Sequence, residues 1–115
     1  MNLPEAIDEV RRLSRQLDAG LDVLRGSAED VAVAEAEYRK AKAVAWVERT
    51  DGTAAERAAL VDADTADLRY TRDLAEGIRR AALESVRARA QQISMWQSLL
   101  RAHTEEASFA RTGPV

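Results

Sequence analysis

The stretch of sequence best suited to chemistry combines three cations with two aromatic side chains. It reads Tyr38-Arg-Lys-Ala-Lys-Ala-Val-Ala-Trp46, and it contains both lysines of the chain. Arg and Lys side chains contact phosphates, and aromatic rings stack on unpaired bases, so such a cluster suits sequence-tolerant binding of single-stranded nucleic acid. In the alternative interpretation, Tyr38 and Trp46 are core residues of one helix, and the cations lie near its C-terminal end.

A second candidate is a ridge of arginines in the C-terminal half. Residues 69–104 contain seven arginines and three carboxylates, whereas residues 1–68 contain nine cations and fifteen carboxylates. At 100° per residue, six of the arginines fall within about 100° of arc on a helix. These six are called the arginine ridge: Arg69, Arg72, Arg79, Arg80, Arg87 and Arg101. Repeated around an oligomer, the ridge would bind phosphates in a salt-dependent manner. In the alternative, these arginines pair with the acidic first half across a helical hairpin.

Signatures of enzymes and metal sites are absent from the sequence. It contains no Gly-rich phosphate loop, no H-E-x-x-H and no G-x-S-x-G. It has no cysteine, which excludes disulfides, thiolate catalysis and cysteine-type zinc sites. His103, the only imidazole, falls near the end of a predicted helix, where the helix dipole favours a cation. The acidic run Asp62, Asp64 and Asp67 suits a solvated helix face better than a metal site. We therefore expect no enzyme, no metal and no cofactor.

Composition predicts the class of fold that positions these side chains. The chain has 115 residues, enough for one small domain over 1–115, and its net charge is -3. Apolar residues make up 46% of it, charged residues 32%, and only five glycines and two prolines are present. This composition is typical of long helices. No cationic start with an apolar run and no stretch of about 18 apolar residues is present, so we expect a soluble, cytoplasmic protein.

The hydrophobic pattern divides the chain into three predicted helices and a tail. An N-terminal amphipathic helix covers 1–25, and Gly26 and Ser27 predict a break before a second helix over 28–49. The turn Thr50-Asp-Gly-Thr53 follows, in which Thr53 and Glu56 form a capping box. A long helix, or two nearly collinear ones, covers 54–108, and 109–115 form a frayed tail.

Regular apolar spacing predicts which faces of these helices are buried. In the first helix, steps of three and four residues define a heptad stripe: Leu3, Ala6, Val10, Leu13, Leu17, Gly20 and Leu24. In the long helix, a stripe with a period of about 3.6 residues runs through Leu60, Asp64, Leu68, Thr71, Ala75, Ile78, Ala82, Val86, Arg89, Ile93, Trp96 and Leu100.

These elements predict an all-α protein, a long antiparallel helical hairpin with an additional N-terminal amphipathic helix. Much of the apolar content is alanine, so few large apolar side chains remain to cover such long helices. Association of copies would cover the exposed surface. We therefore expect a homo-oligomer.

The cationic stretch also resembles a known family. Lys40-Ala-Lys42-Ala-Val-Ala-Trp46, followed by Thr50-Asp-Gly-Thr53 and a charged helix, is similar to the phage recombination mediators of the T-even type. The resemblance implies a small all-helical protein that forms ring oligomers and binds single-stranded DNA. It also implies help in loading a recombinase onto strands coated with single-strand-binding protein. Lys40 and Lys42 would stand at the family's DNA-contacting basic pair, and Trp46 near its aromatic position.

The leading hypothesis is therefore a non-enzymatic, phage-type recombination accessory protein that binds single-stranded DNA as a homo-oligomer. Its candidate nucleic-acid-binding residues are Arg39, Lys40, Lys42, Trp46, Arg79, Arg80 and Arg87. A recombinase or a single-strand-binding protein is a candidate partner, and no membrane is expected. The alternative is a helical protein–protein adaptor or phage modulator of a host protein, in which Leu3, Val10, Leu17 and Leu24 dock a partner helix.

Overall fold

The computed structural model describes residues 2–112, and they form three helices. These are α1 (Leu3–Glu48), α2 (Ala54–Asp64) and α3 (Ala66–Thr112). The described residues contain no strand, which confirms the predicted all-α class and its helical hairpin. Of the predicted tail, 109–112 belong to α3, and 113–115 lie outside the described residues. In this part of the chain no helix is long and apolar enough to cross a membrane.

The turn between α1 and α2 is built as the sequence predicts. Gly52 has a positive φ of 92°, a backbone conformation that favours glycine. Thr53 is the N-cap of α2, and its hydroxyl accepts a hydrogen bond of 3.1 Å from the backbone N–H of Glu56. The turn therefore ends α1 and starts α2 within five residues, and it sets up the hairpin.

The predicted break near residues 25–28 does not occur, because α1 is continuous from Leu3 to Glu48. Ser27 does not cap a new helix: it is buried, and its hydroxyl donates to the carbonyl of Leu24 at 2.8 Å, inside the helix. Ser27 also continues the heptad spacing of the first stripe. The inward residues of α1 follow this spacing without interruption: Ala6, Val10, Leu13, Leu17, Gly20, Leu24, Ser27, Val31, Ala34, Tyr38, Ala41 and Ala45.

Continuity of α1 through Gly26 leads to a stability prediction. Apart from the chain neighbours and the backbone of its own helix, no heavy atom lies within 4 Å of the position that a Cβ would take at this residue. Glycine inside a helix costs about 0.5–1 kcal/mol relative to alanine, so Gly26→Ala should raise the free energy of unfolding by about that amount. Urea denaturation followed by circular dichroism measures the change. The control is Gly52→Ala, which should destabilise, because the residue has a positive φ and an added Cβ would lie 2.8 Å from Glu56. A destabilised Gly26→Ala variant would show that α1 bends at this residue.

The predicted long helix over 54–108 consists of two helices, α2 and α3, which are separated at Thr65. This residue is buried, and both its backbone N–H and its hydroxyl donate to the carbonyl of Val61, at 3.1 and 2.8 Å. Thr65 therefore provides hydrogen-bond donors for the Val61 carbonyl in the last turn of α2. The next turn begins at once, since the N–H of Arg69 donates to the Thr65 carbonyl at 3.0 Å.

The inward face of α3 differs from the predicted stripe. Thr71 and Ile78 are exposed, and Arg72 and Arg79 are half-buried in their place. The half-buried and buried positions follow alternating steps of three and four: Thr65, Leu68, Arg72, Ala75, Arg79, Ala82, Val86, Arg89, Ile93, Trp96, Leu100 and His103. Between Leu68 and Leu100 the predicted and the observed stripe have the same mean period, so the prediction was wrong at two positions, where Arg72 replaces Thr71 and Arg79 replaces Ile78. A period of 3.5 keeps one face of a long helix against its neighbour over many turns.

The described chain forms two compact units. The first unit contains α1 up to Asp22 and α3 from Leu83 onward. Its two segments are antiparallel, and a Cβ added at Gly20 would lie 3.3 Å from the side chain of Val86. Ala6 and Leu13 are its buried residues.

The second unit contains residues 23–82, which are the end of α1, the turn, α2 and the start of α3. Its buried residues are Ala34, Tyr38, Ala45 and Val61, with Ser27 and Thr65. Small side chains dominate this list, so the helices approach closely while burying little apolar area.

Few of the large apolar side chains are buried in the single chain. Among the described residues only Leu13, Tyr38 and Val61 are both large and buried, whereas fourteen large apolar side chains are exposed.

Candidate nucleic-acid interface

Tyr38 joins the basic stretch of α1 to the arginine ridge of α3. Its side chain is buried, at 7% relative exposure, which confirms the interpretation of this residue as core. The Arg72 guanidinium lies 4.5 Å from the centre of the ring, and the Lys42 ammonium lies 5.8 Å from it. Both are cation–π distances. The ring therefore holds two cations from different helices together, and it is not exposed for stacking on a base.

Glu35 pairs with two cations, Arg39 on α1 and Arg72 on α3. Arg39 donates to it at 2.9 Å from the next turn of α1, and Arg72 lies 3.6 Å from it across the hairpin. Arg72 also donates to Asp73 at 2.9 Å. Its hydrogen bond with Asp73 is the main factor that raises the pKa of the Arg72 guanidinium. The Arg39 side chain remains 77% exposed, so it has capacity for another anion.

Glu76, one turn further along α3, pairs with two members of the arginine ridge. Arg79 donates to it at 2.7 Å, and Arg80 lies 3.5 Å from it. The hydrogen bond from Arg79 is the largest of the effects that hold the pKa of the Glu76 carboxyl below its ordinary value. Arg79 is half-buried, whereas the Arg80 side chain is 73% exposed. One carboxylate therefore serves two cations here as well.

Together these contacts define a basic cluster on the second unit. Arg69 belongs to it because it lies three residues from Arg72 on the same helix, and it is exposed. The cluster consists of Arg39, Lys42, Arg69, Arg72, Arg79 and Arg80, with the carboxylates Glu35, Asp73 and Glu76. Six cations accompany three carboxylates, so the cluster keeps an excess of three positive charges on a chain of net charge -3. An excess of this kind attracts a polyanion.

Lys40 does not belong to the basic cluster. It lies about 200° around the helix from Lys42, because the two are separated by two residues at 100° each. Its side chain is exposed, and within residues 2–112 no carboxylate pairs with it. The two lysines that the sequence places side by side therefore occupy different faces of α1.

Trp46 contacts a residue that was not among the predicted site residues. The Arg57 guanidinium lies 4.7 Å from the centre of the indole, and it also donates a hydrogen bond to the Trp46 carbonyl. The Trp46 side chain is half-buried, with a cation over one face of its ring. These contacts connect the end of α1 to α2 across the turn, so they give Trp46 a role in holding the hairpin.

Arg87 lies in the first unit, where it is exposed, and no described carboxylate pairs with it.

Of the predicted site residues, Arg39, Lys42, Arg79 and Arg80 are thus in the basic cluster. Pairing across the hairpin, the alternative for the arginine ridge, holds for Arg72 with Glu35. Arg79 and Arg80 pair within their own helix instead. The roles of Glu35 and Glu76 as partners of these arginines could have been predicted from the sequence, because Glu35 with Arg39 and Glu76 with Arg80 are i,i+4 pairs.

An ion pair also connects the end of α1 with the end of α2. Two guanidinium nitrogens of Arg49 donate to the two carboxylate oxygens of Asp64, at 2.9 and 2.8 Å. Accepting these hydrogen bonds keeps the pKa of the Asp64 carboxyl below its ordinary value. The pair is bidentate, which gives it a fixed geometry.

We expect this ion pair to make stability depend on pH in the acid range. A carboxyl whose pKa is lower in the folded chain stabilises the fold above its unfolded pKa, and this stabilisation is lost as the pH falls through the folded pKa. Since an unperturbed Asp has a pKa of about 3.9, the loss begins near pH 4 and continues below it. Thermal melting from pH 7 to pH 3 measures it, with Asp64→Asn as the control. The wild type should lose more stability than the variant; parallel curves would remove Asp64 from this role.

A metal centre is not indicated by the geometry. Across residues 2–112, no group of three or more His, Cys, Asp or Glu side chains is arranged to hold a metal ion. The chemical capacity of the basic cluster is to contact several negative groups at once.

Comparisons with protein-family models, with curated proteins and with solved structures find no match to this chain.

Proposed function

We propose that this chain is a non-enzymatic accessory protein that binds single-stranded DNA as a homo-oligomer and assists the loading of a recombinase. The observation that carries the DNA-binding part is the basic cluster. Four of its six cations pair with its three carboxylates, and Arg39 and Arg80 are largely exposed. Phosphate contacts by Arg and Lys supply most of the affinity for nucleic acid that is independent of sequence.

The binding mode that this cluster supports is contact with the phosphate backbone. Tyr38 is buried and Trp46 carries Arg57 over one face, so base stacking on these rings is not part of the proposal. Phosphate contact carries no sequence information, and we therefore expect little dependence on base composition. The role in recombination is supported by the resemblance of the Lys40–Trp46 stretch to the phage mediators.

Oligomer formation is supported by the exposed apolar side chains. Fourteen of them are exposed in the described part of the single chain. Association also increases DNA binding, because each added copy brings another basic cluster to the same strand. Oligomerisation and strand binding are therefore parts of the same proposal.

A fluorescence-anisotropy titration tests this function. Wild-type protein is added to a labelled single-stranded oligonucleotide at low salt and again at high salt. We expect binding at low salt that weakens steeply as salt is added, since the contacts release counterions. Absence of binding at low salt would reject the proposal.

A protein–protein adaptor is the second candidate. The heptad stripe first considered for docking a partner helix is not free, because Val10 and Leu17 are half-buried on the inward face of α1. The observation that favours the adaptor is on α3, where Tyr70, Leu74 and Ile78 are exposed at spacings of four residues. Under the adaptor function, charge reversal in the basic cluster leaves binding to the protein partner unchanged.

A further inference from the structure

The second unit has two exposed apolar faces, on opposite edges of its hairpin. On α1 the face follows heptad spacing, and on α3 it runs along the side of the helix opposite Arg72 and Arg79. The α1 outer face consists of Val33, Ala36, Lys40, Ala43 and Val47, and the α3 outer face consists of Tyr70, Leu74, Ile78 and Ala81. All nine side chains are exposed.

The two faces are complementary in charge. Lys40 is the one cation in the middle of the α1 outer face, and no described carboxylate pairs with it. Asp67 and Asp73 border the α3 outer face, three residues to either side of Tyr70. Asp67 is exposed, and its carboxylate pairs with no cation among the described residues. A single lysine in an otherwise apolar heptad face is a feature that fixes the register between helices.

The two faces also lie at the same level along the helix axes of the hairpin. Tyr38 of α1 lies against Arg72 of α3, and the helices are antiparallel, so position 40 is level with position 70. Position 36 is likewise level with position 74. When two copies stand side by side at the same height, Lys40 of one copy is level with Tyr70 of the other. Asp67 is then about 4.5 Å further along the axis, at 1.5 Å per residue, which is within the reach of a lysine side chain.

We propose that the α1 outer face of one copy docks on the α3 outer face of a second copy, with Lys40 placed between Asp67 and Tyr70. This proposal rests on the proposed homo-oligomer and assigns its interface. A second copy is the occupant that fits, because the cation and the carboxylate that each face requires lie on the same chain at the same height. The interface is heterologous, since the two contacting surfaces differ.

The interface also separates the two lysines by role. Lys40 pairs with a neighbouring copy, whereas Lys42 stays in the basic cluster. No cation of the basic cluster is a member of either outer face, so these cations remain accessible in the assembly.

Cysteine cross-linking tests the interface on the full chain. The chain has no cysteine, so an introduced pair provides the only thiols. Two variants are prepared separately, Ala36→Cys and Leu74→Cys, then mixed under mild oxidation. We expect a disulfide-linked dimer in the mixture, and little of it when either variant is oxidised alone. Circular dichroism confirms that each variant is folded.

A control mixture and the native mass of the wild type distinguish a failure of this interface from a failure of the homo-oligomer. Lys42→Cys replaces Ala36→Cys in the control mixture, and it should give no linked dimer, because Lys42 lies in the basic cluster. Light scattering on the wild type gives the number of copies. A monomeric wild type would reject the homo-oligomer itself. An oligomeric wild type whose Ala36→Cys and Leu74→Cys variants do not cross-link would reject this interface and leave the homo-oligomer standing.

Discussion

Reversing two charges in the basic cluster should lower the affinity for single-stranded DNA by at least about tenfold at low salt, which is about 1.4 kcal/mol. The variant is Arg39→Glu with Lys42→Glu. Both cations lie in the cluster, Arg39 beside Glu35 and Lys42 over Tyr38. Each lost phosphate contact should also reduce the dependence of log K on log salt by about 0.7 for a single strand. Anisotropy titrations at several salt concentrations measure both quantities.

A matched control separates local contact from net charge. Arg11 and Arg15 lie in the first unit, and both are exposed. The variant Arg11→Glu with Arg15→Glu changes the net charge by the same amount. We expect it to weaken binding far less than the cluster variant. Equal losses in the two variants would indicate a general effect of net charge, and would contradict a defined surface. Since like charges at i,i+4 cost a few tenths of a kcal/mol in a helix, circular dichroism should show both variants folded.

Truncating Tyr38 should cause the largest loss of stability in the second unit. Tyr38 is one of only three large apolar side chains that are buried among the described residues, and its ring contacts cations from both helices. Tyr38→Ala removes a buried aromatic ring, which typically costs about 3–5 kcal/mol. Chemical denaturation gives the change in the free energy of unfolding.

The control for this variant keeps the ring. Tyr38→Phe retains the apolar surface and the π face on which Arg72 and Lys42 lie. It should therefore change stability by less than about 1 kcal/mol. Similar losses for the Phe and Ala variants would show that the hydroxyl, and not the ring, stabilises the hairpin.

The sequence predicts a helix end correctly where nearby residues determine the backbone conformation and the cap. Gly52 and Thr53 determine the turn through a positive φ and an N-cap, so its position is correct. The break at Ser27 was wrong because a serine hydroxyl satisfies a helix carbonyl as readily as it caps a helix. The heptad phase that continues from Leu24 through Ser27 to Val31 is the signal that indicates a continuous helix.

The candidate site was predictable in part. The cationic residues themselves and the i,i+4 partners Glu35 and Glu76 can be recognised from spacing alone. The inward positions of α3 cannot all be recognised in this way, because an arginine can bury its aliphatic stem while its guanidinium pairs with carboxylates. Arg72 and Arg79 are therefore half-buried on the inward face of α3, where the apolar pattern predicts Thr71 and Ile78. The contact of Arg57 with Trp46 depends on how the turn brings α2 back, which spacing does not give.

The most direct test of the central claim is a map of where single-stranded DNA contacts the protein. Amide chemical shifts of labelled protein are followed while an unlabelled oligonucleotide is added at low salt. The basic cluster predicts that the largest changes fall in two stretches, 35–42 of α1 and 69–80 of α3. Changes confined to the first unit, or no changes at a saturating concentration of oligonucleotide, would contradict it.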